Sequence, residues 1–318
     1  MSPSTKNAMT IVSSKSHRVR IGPDRKTVVI GERCNALGYR RVRDTVARGH
    51  WEEVVNRAVT QFEAGAGIIN VNMVGLDIPE KVLLPIAVTA IRSRVDCPLS
   101  LDYGDPAALD AALGKVEGRC LINSISGEKE KLHPVMEIAR KHGAAMIAMT
   151  SDDDGIPSTP EGRLKCAIKI LEAGARYGFT VDDFIFDCIA IGVATDVGAG
   201  RCTMETMRLI RKELGANITL GASNVSFGMP RRKTLDSNYL AIAIMCGLNA
   251  PITDITHPAL KWAILAADTV TGTDRLGMKF IKETRMERRL LELSANPSSD
   301  PATAVEACRQ RGIILPSM

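Results

Sequence analysis

The feature that most constrains the fold is an alternation of short, apolar, β-branched runs with longer amphipathic stretches, repeated eight times between residues 27 and 274. Uniformly apolar strands separated by helices are typical of a parallel sheet whose outer face those helices cover. Eight such units in succession favour closure into a (β/α)8 TIM barrel, an α/β fold of about 250 residues. The predicted strands are residues 27–30, 68–71, 99–101, 120–122, 144–149, 184–186, 218–222 and 250–253.

An open, doubly wound sheet is the alternative architecture, because a count of strands does not by itself establish closure. The first unit argues against a dinucleotide-binding version of that sheet. The turn after its strand reads Gly31-Glu32-Arg33-Cys34-Asn35, which lacks the GxGxxG spacing of a dinucleotide-binding turn. We therefore favour the barrel.

The predicted barrel forms one domain, residues 27–274, with an extension at each end. Residues 1–26 form a basic amino-terminal extension, and residues 275–318 form a carboxyl-terminal extension. In the latter, residues 275–293 read as a helix, residues 296–301 as a polar linker, and residues 302–311 as a short helix. The sequence assigns no role to either extension.

Charge and composition exclude several classes of function. The net charge is +5, but residues 1–26 carry +5, residues 275–318 carry +3, and the body between them carries −3. A basic groove for nucleic acid is therefore not expected. No uninterrupted apolar run reaches about 18 residues, so no membrane span is expected. The eight scattered cysteines form no CxxC pair, a pattern that predicts reduced core thiols in a cytoplasmic protein.

Polar side chains stand at or just after the carboxyl end of every predicted strand, where a barrel of this class carries its chemistry. They are Glu32, Asn70, Asn72, Asp102, Asn123, Thr150, Asp152, Asp187, Asn224 and Asp254. Asp and Asn also cap helices and stabilise turns, which explains Asp152 in the run Asp152-Asp153-Asp154-Gly155. That reading fits Asp102 and Asp187 less well, because each ends an apolar run several residues before its helix.

The motifs that are missing narrow the chemistry. The chain has no HxH or HExxH spacing, so a histidine-bound metal is not expected, and it has no GxSxG elbow of a serine hydrolase. The remaining carboxylates and amides suit a heterocycle rich in N–H groups and ring nitrogens. A carboxylate accepts two adjacent N–H donors, whereas an amide donates and accepts at once.

At these residues the sequence resembles the pterin-binding methyltransferases, which exchange a methyl group between tetrahydrofolate and a corrinoid protein. The likeness covers roughly residues 27–274 and consists of several short motifs in order. They are VIGERCN at 29–35, LD at 101–102, LINS at 121–124, FD at 186–187, GASNVS at 221–226, the segment 241–247, and Asp254.

The resemblance implies roles for particular residues. Asp102, Asn123 and Asp187 would hold the pterin ring, with Glu32 and Asn72 also on the pterin-binding surface. Asn224 would lie near N5, the atom that gains or loses the methyl group, and would be the catalytic residue. One departure is Asn70, where relatives commonly carry Asp, so a charge-dependent role at this position is in doubt.

The resemblance also implies the substrates and partners. Tetrahydrofolate or 5-methyltetrahydrofolate would be the pterin substrate, and the corrinoid would be carried by a separate protein, because this chain lacks a DxHxxG segment. The direction of transfer would be toward tetrahydrofolate in a demethylation pathway. A homodimer is implied as well. The glycine-rich loop 192–201 is a candidate for movement at the barrel mouth, or simply a long surface loop.

Three other functions remain as alternatives. Dihydropteroate synthase is a pterin-binding barrel, but its likeness would bring a basic residue where Asn224 stands and an arginine near the last strand. A non-catalytic folate-binding protein would leave Asn224 without a purpose. A barrel that binds phosphate groups would have a glycine-rich loop after strands seven and eight, which is missing here.

Overall fold

The structure, a computed structural model, describes residues 7–294, so the predicted linker and the short helix at 302–311 lie outside the described residues. The strands are β1 Thr10–Ser13, β2 Arg18–Ile21, β3 Ile30–Asn35, β4 Ile68–Asn72, β5 Leu99–Asp102, β6 Leu121–Ile125, β7 Ala145–Met149, β8 Phe184–Asp187, β9 Asn217–Thr219 and β10 Ile252–Thr253. The helices are α1 Arg40–Val46, α2 Glu52–Glu63, α3 Glu80–Arg92, α4 Pro106–Leu113, α5 Lys129–His142, α6 Pro160–Ala175, α7 Ala199–Leu214, α8 Arg232–Met245, α9 Pro258–Val270 and α10 Met278–Ser294.

Strands β3 to β10 form the predicted barrel. They are parallel and pair in the order β10-β3-β4-β5-β6-β7-β8-β9. The two ends of this row meet where Gly221, just after β9, makes a parallel bridge with Ile252 of β10. The Ile252 N–H donates to the Leu220 carbonyl at 2.9 Å, and the Ala250 N–H donates to the Ile218 carbonyl at 3.0 Å. The predicted barrel is confirmed, and the alternative of an open sheet is wrong.

Some predicted bounds were wrong. The first barrel strand runs over Ile30–Asn35 rather than 27–30, so Glu32 lies inside it. A bulge between Gly31 and Cys34 shifts its register. Because the residues of the bulge are polar, the pattern of apolar residues ends too early and misses the second half of the strand. Strand β9 ends at Thr219, and Ala222–Ser226 forms a 3-10 turn instead of continuing the strand. Helix α7 begins at Ala199, so the predicted loop 192–201 is shorter by three residues.

Alternate residues of the strands face two separate cores. The outer residues, such as Ile69, Leu101 and Phe186, pack under the helices in a large cluster. The inner residues, such as Ile68 and Ile185, form a small cluster on the barrel axis. Because side chains alternate along a strand, residues two positions further on, such as Asn70 and Asp187, share this inner face at the carboxyl ends. Polar groups therefore collect above an apolar layer.

The amino-terminal segment folds into a hairpin that closes the other end of the barrel. Strands β1 and β2 pair antiparallel, and Val12 and Ile21 join the inner apolar cluster. The fully buried Asn217 of β9 fastens them, because its Nδ2 donates to Thr10 Oγ1 at 3.0 Å and to the Ile21 carbonyl at 2.9 Å. The hairpin is thus packed into the barrel core.

The last helix follows the barrel closely. Asp274 is buried and accepts hydrogen bonds from the N–H groups of Lys279 and Phe280, at 2.9 and 3.0 Å, in the first turn of α10. The predicted helix at 275–293 is confirmed as α10 with a 3-10 turn, Arg275–Gly277, before it. Among residues 7–294, no helix is both long and apolar enough to cross a membrane. The seven cysteines of this part of the chain are free thiols.

Candidate active site

A hydrogen-bonded row of polar side chains crosses three neighbouring strands at the carboxyl end of the barrel. Asn123 of β6 donates through Nδ2 to Asn70 Oδ1 of β4 at 3.1 Å. Asn70 in turn donates through Nδ2 to Asp102 Oδ2 of β5 at 3.5 Å. The strand register aligns Asp102 with Asn72 on one side and with Asn123 on the other. The structure therefore brings together residues that are far apart in the sequence.

Asp102 is the acidic member of this row. Burial raises the pKa of its carboxyl group, while the amides of Asn72 and Asn70 act against the rise by hydrogen bonding to the ionised form. Asn72 is fixed through its own Oδ1, which accepts the Val74 N–H at 2.9 Å. Asn70, the departure from the usual acid, thus supplies a neutral bridge rather than a second charge.

A cavity of about 230 Å³ opens beside the row. Asp102 and Asn123 line it together with Tyr103, whose hydroxyl donates to the Ser124 carbonyl at 2.9 Å. The peptide bond between Asn123 and Ser124 is cis. A planar ring inserted here would meet a carboxylate and an amide side by side, which is the pairing that a nitrogen heterocycle requires.

Asp187 ends β8 on the same inner face. Its Oδ1 accepts the Ile189 N–H at 2.7 Å, which fixes the direction of the carboxyl group. Burial raises its pKa to about 6, and this hydrogen bond and the nearby Arg163 act in the opposite direction. Thr150, at the end of the neighbouring strand, donates its hydroxyl to the Asp187 carbonyl at 3.0 Å and so braces the backbone rather than the carboxylate.

Glu32 lies in the bulge of β3. The bulge is held from behind by the buried Gln61 of α2, whose Oε1 accepts the Arg33 N–H at 2.9 Å. Glycine at position 31 leaves room for Gln61, because a Cβ there would lie 2.6 Å from Gln61 Oε1 and displace this amide. Burial and, to a lesser extent, the charge of Asp254 raise the pKa of Glu32 to about 7. Such a carboxyl group can hold or release a proton near neutral pH.

Asn224 stands in the 3-10 turn after β9, on the chain segment that faces Glu32. The neighbouring Ser223 hydroxyl donates to Glu32 Oε1 at 3.4 Å. Asn224 is exposed, and within the described residues its side-chain amide has no hydrogen-bond partner. A Cβ at Gly221 would lie 2.9 Å from Asn224 Nδ2, so glycine leaves room for this amide. An amide that is exposed and unpaired at the mouth is free to bind a ligand.

Other predicted strand-end residues do not join the site. Asp152 forms a turn with Gly155 and pairs with Lys169 at 3.3 Å, which confirms the turn interpretation. Asp254 accepts the Thr256 hydroxyl at 2.5 Å and acts on Glu32 through its charge. Among the residues that the structure describes, no group of three or more His, Cys, Asp or Glu side chains is arranged to bind a metal ion.

Sequence reasoning missed three supporting residues. Gln61 and Ser223 are ordinary polar residues whose partners come from other units of the barrel, so no local pattern marks them. Arg163 carried a weak signal, since it stands in the first turn of α6, where the helix dipole disfavours a cation. It is nevertheless fully buried.

A larger cavity, of about 360 Å³, lies at the opposite end of the barrel. Its wall includes Thr27 and Asp268, but these groups satisfy each other, because the Thr27 hydroxyl donates to Asp268 Oδ1 at 2.6 Å. The strand-end residues described above line no part of it. We therefore place the candidate site at the carboxyl end of the barrel, although the cavity there is smaller.

Comparison with known sequences places these residues within a larger group of proteins. The family described as "Pterin binding enzyme" matches residues 31–254. A protein named methylcorrinoid:tetrahydrofolate methyltransferase, from Eubacterium limosum, is 28% identical over 263 residues, which is 81% of this chain and 96% of that protein. Methionine synthase from Mycobacterium tuberculosis is 28% identical over 256 residues, but these make up 21% of the synthase and 76% of this chain.

Comparison with solved structures gives the same architecture. The 7,8-dihydropteroate synthase of Vibrio fischeri superposes with a TM-score of 0.63 at 14% identity, over 82% of this chain and 98% of that one. The Yersinia pestis enzyme with a pterine-sulfa conjugate superposes with a TM-score of 0.60 at 14% identity, over 83% of this chain and the whole of that one. At this level of identity the likeness concerns the fold alone.

Proposed function

Because this chain belongs to the pterin-binding enzyme family, we propose that it is a methyltransferase that moves a methyl group between a methylated corrinoid protein and N5 of tetrahydrofolate. The observation that carries the proposal is the convergence of Asp102, Asn123 and Asp187 on the inner face at one end of the barrel. The similarity to a protein named for this reaction, over 96% of its length, supports the choice of chemistry.

The carboxylates and amides would bind and orient the ring. Asp102 and Asp187 would accept hydrogen bonds from the N–H groups of the pterin, while Asn123 would donate and accept at a ring nitrogen and its neighbour. Asn72 lies beside Asp102 and would close that side of the ring. These side chains already form hydrogen bonds to the backbone or to each other, so ordering them when the ring binds would cost little conformational entropy.

Asn224 would act where the methyl group moves. In the direction toward folate, the N5 lone pair attacks the methyl carbon, the carbon–cobalt bond breaks with its electron pair remaining on cobalt, and the N5 proton is released. The exposed amide of Asn224 can orient N5 and hydrogen-bond to it as its charge changes. Glu32, joined to the same turn through Ser223, is suited to receive the released proton, because its pKa lies near 7.

The corrinoid is a substrate delivered by another protein in this proposal. Asn224 stands in an exposed turn at the barrel mouth, which agrees with a reaction centre that a partner must approach. We further propose that transfer runs toward tetrahydrofolate in a demethylation pathway. A homodimer, which the resemblance implies, can be measured by light scattering during size-exclusion chromatography.

The decisive experiment is in two stages. Tetrahydrofolate is first titrated into the protein under anaerobic conditions, and saturable binding is expected. The protein is then mixed with methylcobalamin and tetrahydrofolate, and the loss of the methylcobalamin spectrum is followed, together with formation of 5-methyltetrahydrofolate. Absence of folate binding contradicts the proposal. The variant Asn224→Ala is tested in the same assay. Its matched control is Asn238→Ala, a change at an exposed asparagine on α8.

Formation of dihydropteroate from a pterin diphosphate and 4-aminobenzoate would favour the rival function. The segment after β10, Asp254-Ile255-Thr256-His257, contains no arginine for a diphosphate. A protein that binds tetrahydrofolate tightly but transfers no methyl group from any corrinoid would instead be a non-catalytic folate-binding protein.

A further inference from the structure

Arg163 is a fully buried cation whose bonding partners are mainly backbone carbonyls. Its side chain is 1% exposed, although it stands in the first turn of α6, where the helix dipole disfavours positive charge. Nη1 donates to the Cys188 carbonyl at 2.7 Å and to the Ile189 carbonyl at 3.1 Å, and Nε donates to the Pro157 carbonyl at 3.0 Å. Within residues 7–294, no ion pair joins it to a carboxylate.

The backbone that Arg163 contacts is held in a disfavoured conformation. Ile189 has a φ of 52°, which β-branched residues rarely adopt. The Thr203 hydroxyl of α7 lies 3.0 Å from both the Ile189 carbonyl and the Ala199 carbonyl, and Arg163 Nη1 donates to the same hydroxyl at 3.3 Å. Two helices therefore fix this turn from outside the barrel. Such strain persists only where the surroundings determine the conformation fully.

One peptide group connects Arg163 with the candidate pterin site. The carbonyl of the peptide bond between Cys188 and Ile189 accepts from Arg163, and the N–H of the same peptide bond donates to Asp187 Oδ1 at 2.7 Å. A cation at the carbonyl end polarises the peptide and strengthens the bond that its N–H makes to an anion. The guanidinium thus acts on the carboxylate without touching it.

We propose that Arg163 is a positioning residue for the pterin site, which fixes the direction of the Asp187 carboxylate and supports its negative charge through the Cys188–Ile189 peptide group. This inference rests on the proposed function, because it assigns the ionised Asp187 to pterin binding. It adds a residue of α6, in the helical layer around the strands, to the residues that support pterin binding.

The ionisable groups around Asp187 leave Arg163 as its supporting charge. Tyr239 of α8 and the adjacent Cys188 also face it, but burial raises the pKa of both, so they stay neutral between pH 5 and pH 8. Burial raises the pKa of Asp187 to about 6, and Arg163 opposes that rise. Removing the guanidinium should therefore move protonation of Asp187 to higher pH.

The test is the pH dependence of tetrahydrofolate affinity between pH 5 and pH 8, measured anaerobically by fluorescence or calorimetry. The unchanged protein should lose affinity as the pH falls through about 6, where Asp187 gains a proton. In Arg163→Met the midpoint should rise by about one pH unit. Arg163→Lys keeps the charge and should return the midpoint toward that of the unchanged protein. Asp187→Asn should abolish this part of the pH dependence.

A merely structural role predicts a different result. Affinity would then fall by the same factor at every pH, with an unmoved midpoint, and Arg163→Met would weaken the Asp187→Asn protein as much as it weakens the unchanged one. Either outcome overturns the inference. If Arg163→Met fails to fold, Thr203→Val, which removes one anchor of the turn, serves in its place and should raise the midpoint by a smaller amount.

Different results test the proposed function and the role of Arg163. If the unchanged protein does not bind tetrahydrofolate, the proposed function is contradicted, and Arg163 with it. If it binds with a pH dependence that Asp187→Asn abolishes but the arginine variants leave in place, only the role of Arg163 is wrong.

Discussion

Replacing Glu32 with glutamine should stabilise the ligand-free protein at alkaline pH. Glu32 has a pKa of about 7 in the folded protein, against 4.5 in an unfolded chain, because burial and then the charge of Asp254 disfavour its ionised form. The folded state therefore retains this proton at pH values where the unfolded state has lost it. A difference of about 2.5 pH units corresponds to about 3 kcal/mol, which is a ceiling, since water reaches part of the side chain.

The direction in which stability changes with pH follows from the raised pKa of Glu32. Stability associated with Glu32 is fully present below pH 4.5 and is lost as the pH rises through the folded value near 7. Glutamine has no proton to lose, yet it can still accept the hydrogen bond from Ser223. The gain in the free energy of unfolding of Glu32→Gln should therefore be small near pH 4.5 and approach about 3 kcal/mol at pH 8.

Urea unfolding at several pH values, with the free energy taken from midpoint and slope, measures this difference. Glu63→Gln, a change at an exposed glutamate on α2, is the matched control and should show little effect at any pH. A gain for Glu32→Gln that is equal at pH 5 and pH 8, or a loss at pH 8, would refute the burial argument. The same variant should transfer methyl groups more slowly if Glu32 receives the N5 proton.

Three further predictions concern the site and its support. Asn224→Ala should lower kcat by about a hundredfold in steady-state kinetics with little change in tetrahydrofolate affinity, and equal losses in both would contradict a catalytic role. Asp102→Ala should weaken tetrahydrofolate binding by about 1–3 kcal/mol in calorimetry, because ring N–H donors lose their acceptor, and an unchanged affinity would remove Asp102 from the site. Asn217→Ala should lower the free energy of unfolding by about 1–3 kcal/mol, since Thr10 and the Ile21 carbonyl lose a buried partner, whereas exposed Asn56→Ala should not.

The barrel was predictable from sequence because a parallel strand buried on both faces leaves a continuous apolar run, and eight such runs were visible. The first strand was predicted at 27–30 instead of Ile30–Asn35, because the bulge that holds Glu32 and Arg33 interrupts the apolar run with charge. The bulge depends on Gln61, which arrives from a helix about 30 residues later, so no local pattern encodes it.

The polar strand ends were predictable for a similar reason, since parity along each strand assigns Asp102, Asn123 and Asp187 to one face. Their connections were not predictable, because Asn70 bridges two strands and the register between strands depends on packing of the whole sheet. The fold of residues 10–21 was missed, since a short hairpin with basic residues resembles a solvated tail until its partners on the barrel floor are known.

The hairpin on the barrel floor has a practical consequence for work with the protein. Strand β1 begins at Thr10, at the end of the barrel remote from Asp102 and Asn224, and is anchored there by Asn217. A chain attached to a surface by its amino terminus would therefore present its open mouth outward, away from the support. Immobilisation in that orientation leaves room for a bulky protein to bind, which makes it the preferred geometry for capturing the proposed corrinoid partner.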